Sequence, residues 1–288
     1  RPEQVIEEIK GVIRLTKHIY EVFGFKGYQA YIATRPEKYL GSLEMWEFAE
    51  NALKKAAEDE GINYKIDAGE GVFYGPKIDS KVKDSLGREW QLGTIQFDFN
   101  QPTQGESTEQ DIDEFWALKS FKSKFKTREN VAKYIKRLGR GFDVKFINDK
   151  GQDEHVVMVH RTILGSLERF FGVLIEHYGG AFPTWLAPVQ VQILPIADRH
   201  LEYAKMINEQ LTINNIRVEL DDRSEKLGAK IRDAQMQKVP YMIVIGDKEV
   251  ESKTVSVRRR DGTPLDPDKI GVDEFIKSLK IEIVAKSF

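Results

Sequence analysis

The sequence predicts two domains: an α+β domain built on an antiparallel sheet, followed by an α/β domain with a mixed, mostly parallel sheet. The chain has 288 residues, more than one ordinary domain of about 100 to 200 residues. Between residues 64 and 99, short β-rich runs are separated by glycine turns, a spacing typical of antiparallel hairpins. After residue 189, strands alternate with helices, which is typical of a mostly parallel sheet covered by helices.

The composition excludes several classes of protein. Lys and Arg (44) nearly balance Asp and Glu (46), so any binding of nucleic acid has to be local. No apolar run approaches the roughly 18 residues of a membrane-spanning helix, so no membrane partner is expected. The chain has no cysteine, which excludes disulfides and favours a cytoplasmic location.

Two helices and several strands are predicted in the first part of the chain. Apolar residues recur at steps of three and four from Val5 to Gly24, which predicts an amphipathic helix that ends at a glycine. A second helix is predicted between Ser42, a residue type that caps helices, and Gly61. Strands are predicted at 28–32, 64–67, 69–78 and 89–99.

The stretch from about 101 to 140 differs in composition from its surroundings and is predicted to be an insertion. An acidic lead precedes a helical stretch, and between Lys119 and Arg140 there are nine basic residues and one acidic residue. Two interpretations stay open. The run is either a solvated helix face, the usual role of such a run, or a surface that contacts phosphate groups.

A pair of strands at 142–147 and 155–160 around the turn at 148–151, and a helix from about Thr162 to His177, complete the first domain. Two prolines between Phe182 and Pro188 predict a linker, and the domain boundary is placed between residues 185 and 186. The second domain is predicted to contain strands at 189–194, 217–220, 241–245 and 254–258 and helices at 198–214, 225–237 and 272–283.

One candidate site lies in the strands of the first domain. The run Tyr74–Lys77 places a phenol, a stiffened turn and an ammonium group together. Strand alternation puts Thr94 and Gln96 on one face and Gln91 on the other, unless a bulge at Gly93 turns Gln91 toward them. Polar residues on such a strand need a partner or a ligand, and an exposed sheet face is the open alternative.

The second candidate site is the run His160–Arg169, in which a strand leads into a helix. Helical spacing would place Gly165, Arg169 and Gly172 on one face. A guanidinium group would then lie beside open space suited to a phosphate or a stacked purine. A salt bridge is the alternative for Arg169, and a satisfied core histidine is the alternative for His160.

Five runs, each matched along its length, carry a resemblance to a known family. They are Gly69–Ile78, Trp90–Asp98, His160–Arg169, Phe182–Val191 and Pro240–Glu249. In this order they resemble threonyl-tRNA synthetases, and the resemblance covers nearly all of the chain except the predicted insertion. The run from Gly165 to Arg169 is similar to the third signature motif of class II aminoacyl-tRNA synthetases.

The resemblance implies the C-terminal part of a class II synthetase catalytic domain at 1–185, with an incomplete antiparallel sheet and the insertion at about 101–140. An α/β anticodon-binding domain at 186–288 follows. The implied activity is that of a threonine–tRNA ligase, in which threonine attacks the α-phosphate of ATP and is then transferred to tRNA(Thr). Motifs 1 and 2 of the family lie upstream of Arg1, so we expect the chain to hold about half of a synthetase.

The resemblance also implies roles for individual residues of the first domain. Tyr74 and Gln96 are expected to bind threonine, and Lys77 and Arg169 are expected to act in catalysis. The residues expected to bind ATP, which brings Mg²⁺, are Gln91, Thr94, Ser166 and Arg169. Such residues are suited to adenylate formation, because this reaction needs charge neutralisation and in-line positioning.

The family holds a catalytic Zn²⁺, and one of its ligands matches His160. The other two ligands lie upstream of Arg1 in the family, so the zinc site is expected to be incomplete in this chain. The residues expected to bind the anticodon are Ser224, Arg232, Glu249 and Arg258, and Ser224 stands where the family often has Asn. Forked or acceptor side chains suit the edges of single-stranded bases, whereas an exposed strand end is the alternative for Arg258.

Two functional hypotheses follow. The first is a threonine–tRNA ligase that activates threonine with ATP, with the upstream half of the active site missing from this chain. The alternative is a non-catalytic tRNA-binding module or accessory fragment that uses the anticodon-binding domain. A homodimer is expected of the full-length family, but the family's dimer contacts lie in motif 1, which this chain lacks.

Overall fold

The structure is a computed structural model that describes residues 1–103, 109–139 and 141–287. Contacts divide the chain into two compact units, Arg1–Val173 and Leu174–Phe288. The predicted domain boundary at 185/186 stays a prediction. Within the predicted basic run, the side chains of Lys136 and Arg137 and all of Arg140 lie outside what the structure describes.

The first unit contains helices and strands in alternating groups. Its helices are α1 (Val5–Val22), α2 (Leu43–Asp59), α3 (Glu109–Ala117), α4 (Lys119–Phe125), α5 (Arg128–Gly139) and α6 (Leu167–Tyr178), and α6 continues into the second unit. Its strands are β1 (Gln29–Ala33), β2 (Tyr64–Asp67), β3 (Lys77–Lys83), β4 (Glu89–Asp98), β5 (Lys145–Ile147), β6 (Asp153–His155) and β7 (Met158–Thr162).

Five of these strands form one sheet in the order β2-β1-β3-β4-β7. Neighbouring strands are antiparallel except for β1 and β2, which are parallel. The predicted antiparallel sheet is therefore confirmed, with one parallel pair at its edge. The predicted turn at 148–151 joins β5 to β6, but the predicted second strand at 155–160 is wrong: β5 pairs with Asp153–His155, and Met158–Thr162 pairs with β4.

One face of this sheet forms the hydrophobic core. Ile78, Ile95 and Phe97 are almost completely buried and belong to one cluster with Ile9 of α1 and Leu53 of α2. Burying each such side chain stabilises the fold by roughly 1.5–3 kcal/mol. Since side chains alternate along a strand, the intervening polar residues of β3 and β4 lie on the opposite face.

The second helix begins and ends as predicted. Ser42 has an extended backbone, and its Oγ accepts a hydrogen bond from the backbone N–H of Met45 at 3.3 Å. This bond satisfies one of the free donors at the helix N-terminus. Gly61 follows the helix with φ +66°, a conformation that favours glycine.

The second unit is an α/β sandwich of a mixed sheet between helices. Its helices are α7 (Leu201–Ile213), α8 (Leu227–Met236), α9 (Asp247–Ser252) and α10 (Val272–Ala285). Its strands are β8 (Val191–Pro195), β9 (Val218–Leu220), β10 (Tyr241–Ile245), β11 (Thr254–Arg259) and β12 (Pro264–Gly271). Neither α9 nor β12 was predicted from the sequence.

The second sheet has the order β12-β11-β10-β8-β9. Strand β8 runs parallel to both β9 and β10, whereas β11 is antiparallel to β10 and β12. The predicted mixed sheet is thus confirmed. Ile193 and Ile243 are buried with α7 and α10, whereas Leu194 and Met242 are buried with α8, so helices cover both faces. None of the helices within the described residues is long and apolar enough to cross a bilayer.

A buried carboxylate fixes the turn between β3 and β4. Asp84 accepts hydrogen bonds from the Trp90 indole at 2.8 Å, the Arg88 side chain at 2.6 Å, and the backbone N–H groups of Arg88 and Leu86. Burial by itself would raise the pKa of Asp84, but the hydrogen bonds from Trp90 and Arg88 outweigh it and lower the pKa to about 2.

Asp84 should make the stability of the chain depend on pH below 4. Its pKa in the folded state is below the ordinary value of 3.8, so its stabilising effect is complete above that value and is lost as the pH falls toward 2. We expect Asp84→Asn to lower the urea midpoint at pH 6 and to approach the wild-type midpoint between pH 4 and 2. A difference between the two midpoints that does not change with pH would contradict this assignment.

Candidate functional site

A β-bulge brings the predicted polar residues of β4 together. The register between β3 and β4 shifts after Ser80, so that Leu92 is the extra residue. Gln91 Nε2 then donates to Thr94 Oγ1 at 3.0 Å. The bulge at Gly93, one of the two alternatives derived from the sequence, is therefore confirmed.

Asp79 connects the residues of this first group, and sequence reasoning missed it. Its Oδ1 accepts hydrogen bonds from Gln91 Nε2 and Thr94 Oγ1, both at 2.7 Å. Its Oδ2 lies 2.6 Å from Lys77 Nζ, and the residue is only 5% exposed. Lys77 and Asp79 are two residues apart on a strand and so share a face, which is the sequence signal that could have identified Asp79.

Gln96 lies on the same face, between Lys77 on β3 and His160 on β7. Its Oε1 accepts a hydrogen bond from the Tyr74 hydroxyl at 3.1 Å. Its Nε2 is buried and has no hydrogen-bond partner among the residues that the structure describes. A buried donor without a partner costs about 1–3 kcal/mol, so a ligand oxygen at this point would be stabilised.

The environment of Tyr74 keeps its hydroxyl protonated. Burial raises the pKa of the phenol, the charge of Asp98 raises it further, and the hydrogen bond with Gln96 opposes both. The Tyr74 hydroxyl therefore remains a donor at neutral pH. The backbone after Tyr74 lies very close to β4. A Cβ on the next residue, Gly75, would lie 2.0 Å from the carbonyl oxygen of Phe97, so glycine is needed there.

His160 is paired with a buried carboxylate that the sequence analysis did not identify. A ring nitrogen of His160, Nε2, lies 2.8 Å from Asp98 Oδ2. The Asp98 side chain is fully buried, whereas the His160 side chain is 42% exposed. His160 is therefore anchored on one side and open on the other, unlike a histidine enclosed in the core.

The position predicted for Gly165 is wrong. The helix predicted from Thr162 begins only at Leu167, so Gly165 lies in the turn before α6 and not on its face. Gly165 has φ +65°, and a Cβ there would lie 2.5 Å from the carbonyl oxygen of Leu92. The glycine thus allows a close approach of the turn to the bulge in β4.

Arg169 lies in the first turn of α6 and is exposed. Its Nη1 donates to the carbonyl oxygen of Gln91 at 2.9 Å, and its backbone N–H donates to Ser166 Oγ at 3.3 Å. No ion pair within the described ranges involves Arg169. The guanidinium is thus directed toward Gln91 by a backbone carbonyl, and its other donors remain available to a ligand.

The second unit presents a different candidate site at the carboxyl ends of its parallel strands. The chain passes from β8 to β9 on one side and then crosses to β10 on the other, so the strand order reverses at β8. Ligands of open α/β sheets bind at such a point. Glu249 lies in α9 directly after β10, is 8% exposed, and its Oε2 accepts a hydrogen bond from the Gly246 N–H at 2.9 Å.

The other predicted anticodon-binding residues occupy separate places. Arg258 lies on β11, and its Nε is buried without a hydrogen-bond partner in the described part of the chain. Ser224 and Arg232 are exposed. Ser224 lines a cavity of about 410 Å³ together with Lys226 and Lys230, but the other three predicted residues do not line it.

Comparisons with known proteins show what the chain resembles. A model of the tRNA synthetase class II core domain (G, H, P, S and T) matches residues 1–114, and a model of an anticodon binding domain matches residues 190–282. Threonine–tRNA ligases of Sulfurihydrogenibium sp. (strain YO3AOP1) and Caldanaerobacter subterraneus subsp. tengcongensis are 45% and 46% identical to this chain over 99% of its length. This chain is similar to threonine–tRNA ligases along nearly its whole length.

The chain spans 38% of the length of these two threonine–tRNA ligases. Its fold also resembles that of a solved structure, the RNA binding domain of threonyl-tRNA synthetase from Cryptosporidium parvum Iowa II. That structure matches with a TM-score of 0.76 at 32% identity, over 98% of this chain and 61% of its own. The class II core and the anticodon-binding domain predicted from the sequence are both confirmed.

The described residues do not form a complete site for the metals implied for a threonine–tRNA ligase. Within residues 1–103, 109–139 and 141–287, no three His, Asp or Glu side chains are grouped so as to hold a metal ion. His160 and Asp98 lie together, but they are only two candidate ligands. No step of the reaction is therefore assigned to zinc or magnesium bound by these residues.

Proposed function

We propose that this chain is the part of a threonine–tRNA ligase that binds threonine and ATP on its first unit and the anticodon of tRNA(Thr) on its second. The observation that carries the proposal is the buried Nε2 of Gln96, which none of the described residues pairs by a hydrogen bond. It lies beside Tyr74 on a polar sheet face, in a chain similar to threonine–tRNA ligases. An oxygen of threonine would complete its hydrogen bonding.

In the first step, a carboxylate oxygen of threonine attacks the α-phosphorus of ATP, and the bond to pyrophosphate breaks. Negative charge is concentrated between the two reactants, so nearby cations lower the barrier. Lys77, held 2.6 Å from Asp79, supplies one such charge, and Arg169 supplies a second. In the second step, a ribose hydroxyl of the tRNA attacks the threonyl carbonyl carbon, and AMP leaves.

The residues proposed to bind ATP surround the bulge in β4. Gln91 and Thr94 are already ordered by Asp79, and Arg169 contacts the carbonyl oxygen of Gln91. A planar guanidinium can pair with a phosphate or stack on a purine. Mg²⁺ would arrive with the phosphates of ATP, and His160 is proposed as one zinc ligand, to be completed by groups outside the described residues.

Two features support anticodon binding by the second unit. Glu249 places a buried carboxylate, an acceptor for base N–H groups, at the reversal of the strand order. Arg258 Nε is a buried donor without a partner among the described residues, and unpaired bases expose acceptors on their edges. Ser224 and Arg232 are proposed to contact neighbouring parts of the same anticodon loop.

Replacement of Gln96 by Ala should weaken the binding of 5′-O-(N-threonylsulfamoyl)adenosine, a stable mimic of threonyl adenylate. The loss of a hydrogen bond to a buried ligand is worth ~1–3 kcal/mol, so we expect a roughly tenfold or larger rise in Kd. Isothermal titration calorimetry at fixed salt measures this change.

Gln152→Ala is the matched control, because Gln152 is exposed in the β5–β6 hairpin. It should bind the mimic like the wild type, and the free energies of unfolding of both variants should lie within about 1 kcal/mol of the wild-type value. Equal affinities for wild type and Gln96→Ala would contradict the role of Gln96. If the wild type binds an anticodon stem-loop but not the mimic, the alternative of a non-catalytic tRNA-binding module is favoured.

Arg258→Lys should weaken binding of an RNA stem-loop that carries a threonine anticodon. A lysine keeps the charge but loses the forked donor, and a forked contact to a base is worth ~1–3 kcal/mol, so Kd should rise about tenfold. Arg259→Lys, one residue further along β11 and exposed, is the control with the same charge.

Fluorescence anisotropy at one salt concentration measures both variants. A second stem-loop with a changed anticodon separates base recognition from phosphate contacts, since phosphate binding does not depend on sequence. An equal effect of the two variants on both stem-loops would disprove base recognition by Arg258. The homodimer and the cytoplasmic location stay predictions.

A further inference from the structure

Helices α3 to α5 (residues 109–139), here named the three-helix segment, lie between two stretches of the first unit that are hydrogen-bonded to each other. The N–H of Phe142 donates to the carbonyl oxygen of Gln101 at 2.6 Å, and the N–H of Val144 donates to that of Pro102 at 3.0 Å. A Cβ on Gly141 would lie 1.6 Å from the carbonyl oxygen of Thr103. The residues on the two sides of the segment, 101–103 and 141–144, are therefore in direct contact shortly after β4.

The described part of the three-helix segment has a small hydrophobic core of its own. Ile112, Phe115 and Val131 are 0%, 6% and 0% exposed and form one cluster. Two residues from outside the segment, Leu40 and Phe73, pack against this cluster. The segment thus contacts the rest of its unit through apolar side chains.

The contact with Phe73 reaches the candidate active site. The Phe115 ring meets the Phe73 ring edge-to-face with a centroid distance of 5.4 Å, and Phe73 meets Tyr74 in the same way at 5.0 Å. Such aromatic pairs are directional and restrict the rotation of both rings. A chain of ring contacts therefore runs from helix α3 to the proposed threonine-binding residue.

Backbone hydrogen bonds hold the same loop from its other sides. Leu40 N–H donates to the carbonyl oxygen of Phe73 at 2.7 Å, and Asn100 Nδ2 donates to that of Tyr74 at 2.9 Å. Asn100 directly precedes Gln101, whose carbonyl oxygen accepts the hydrogen bond from Phe142 on the other side of the segment. The core of the segment thus contacts Phe73, and Asn100, which precedes the segment, contacts Tyr74.

We propose that the three-helix segment positions the Tyr74 loop, and that Phe115 is the positioning residue. This inference rests on the proposed function only in that Tyr74 and Gln96 bind the ligand. Phe115 touches no substrate, and it acts by limiting the movement of Phe73. The Tyr74 hydroxyl then stays on Gln96 Oε1, and Gln96 Nε2 stays directed to the ligand.

Phe115→Ala tests the proposal through a readout that does not require activity. Removal of the ring should free Phe73, so we expect the backbone amides of residues 72–75 to exchange with solvent about tenfold faster in hydrogen-exchange mass spectrometry. The Kd for the threonyl adenylate mimic should rise by a similar factor. Phe115→Leu, which keeps an apolar side chain, should restore both the exchange rates and the Kd most of the way to the wild-type values. It also serves as the test variant if Phe115→Ala does not fold.

Phe125→Ala is the matched control, because Phe125 lies in the same segment and pairs with Tyr134 at a centroid distance of 4.6 Å. It should leave both the exchange of residues 72–75 and the Kd unchanged. Equal effects of Phe115→Ala and Phe125→Ala, or no effect of either, would overturn the proposal. If the wild type does not bind the mimic, the proposed function fails, and the exchange data still decide the positioning role.

Discussion

The buried carboxylate of Asp98 is the interaction on which the candidate active site depends. It is fully buried and accepts hydrogen bonds from the backbone N–H groups of Asn100 and Gln101 at 3.0 and 2.9 Å, with His160 Nε2 at 2.8 Å. A buried charge is tolerated only when its hydrogen bonds are made, so these partners are held in place. Asn100 in turn holds the carbonyl oxygen of Tyr74. One carboxylate therefore fixes the end of β4, the residues Asn100 and Gln101 that precede the three-helix segment, and the orientation of His160.

The two units share one feature despite their different folds. In each, a side chain proposed to bind a ligand contains a buried donor that has no partner within residues 1–103, 109–139 and 141–287: Nε2 of Gln96 in the first unit and Nε of Arg258 in the second. Folded proteins pair almost all such groups, because an unpaired one lowers stability. A ligand that recovers this free energy binds selectively, since a competitor without the matching acceptor leaves the donor unpaired. The free energy that the unpaired donor costs in the free protein therefore favours the ligand that pairs with it.

Local signals made much of the fold predictable, whereas contacts between distant residues escaped sequence reasoning. The helix after Ser42 was predicted because an N-cap acts within three residues of the chain. Asp98 was missed because its partner His160 lies 62 residues away, whereas Asp79 had a local signal in its spacing to Lys77 that the sequence analysis did not use. Gly165 was misplaced in a helix because its role is a close backbone approach to another strand. Strand β12 was missed because it begins at a proline and is not strongly apolar.

The central claim is that the side-chain amide of Gln96 is kept open for a ligand oxygen. The most direct test is the ¹⁵N–¹H spectrum of the side-chain amides, with Gln96 assigned from Gln96→Glu and the threonyl adenylate mimic added in steps. We expect the Gln96 amide protons to shift downfield and to exchange more slowly in the complex, while those of Gln152 stay unchanged. Binding of the mimic without any change in the Gln96 signals would contradict the claim.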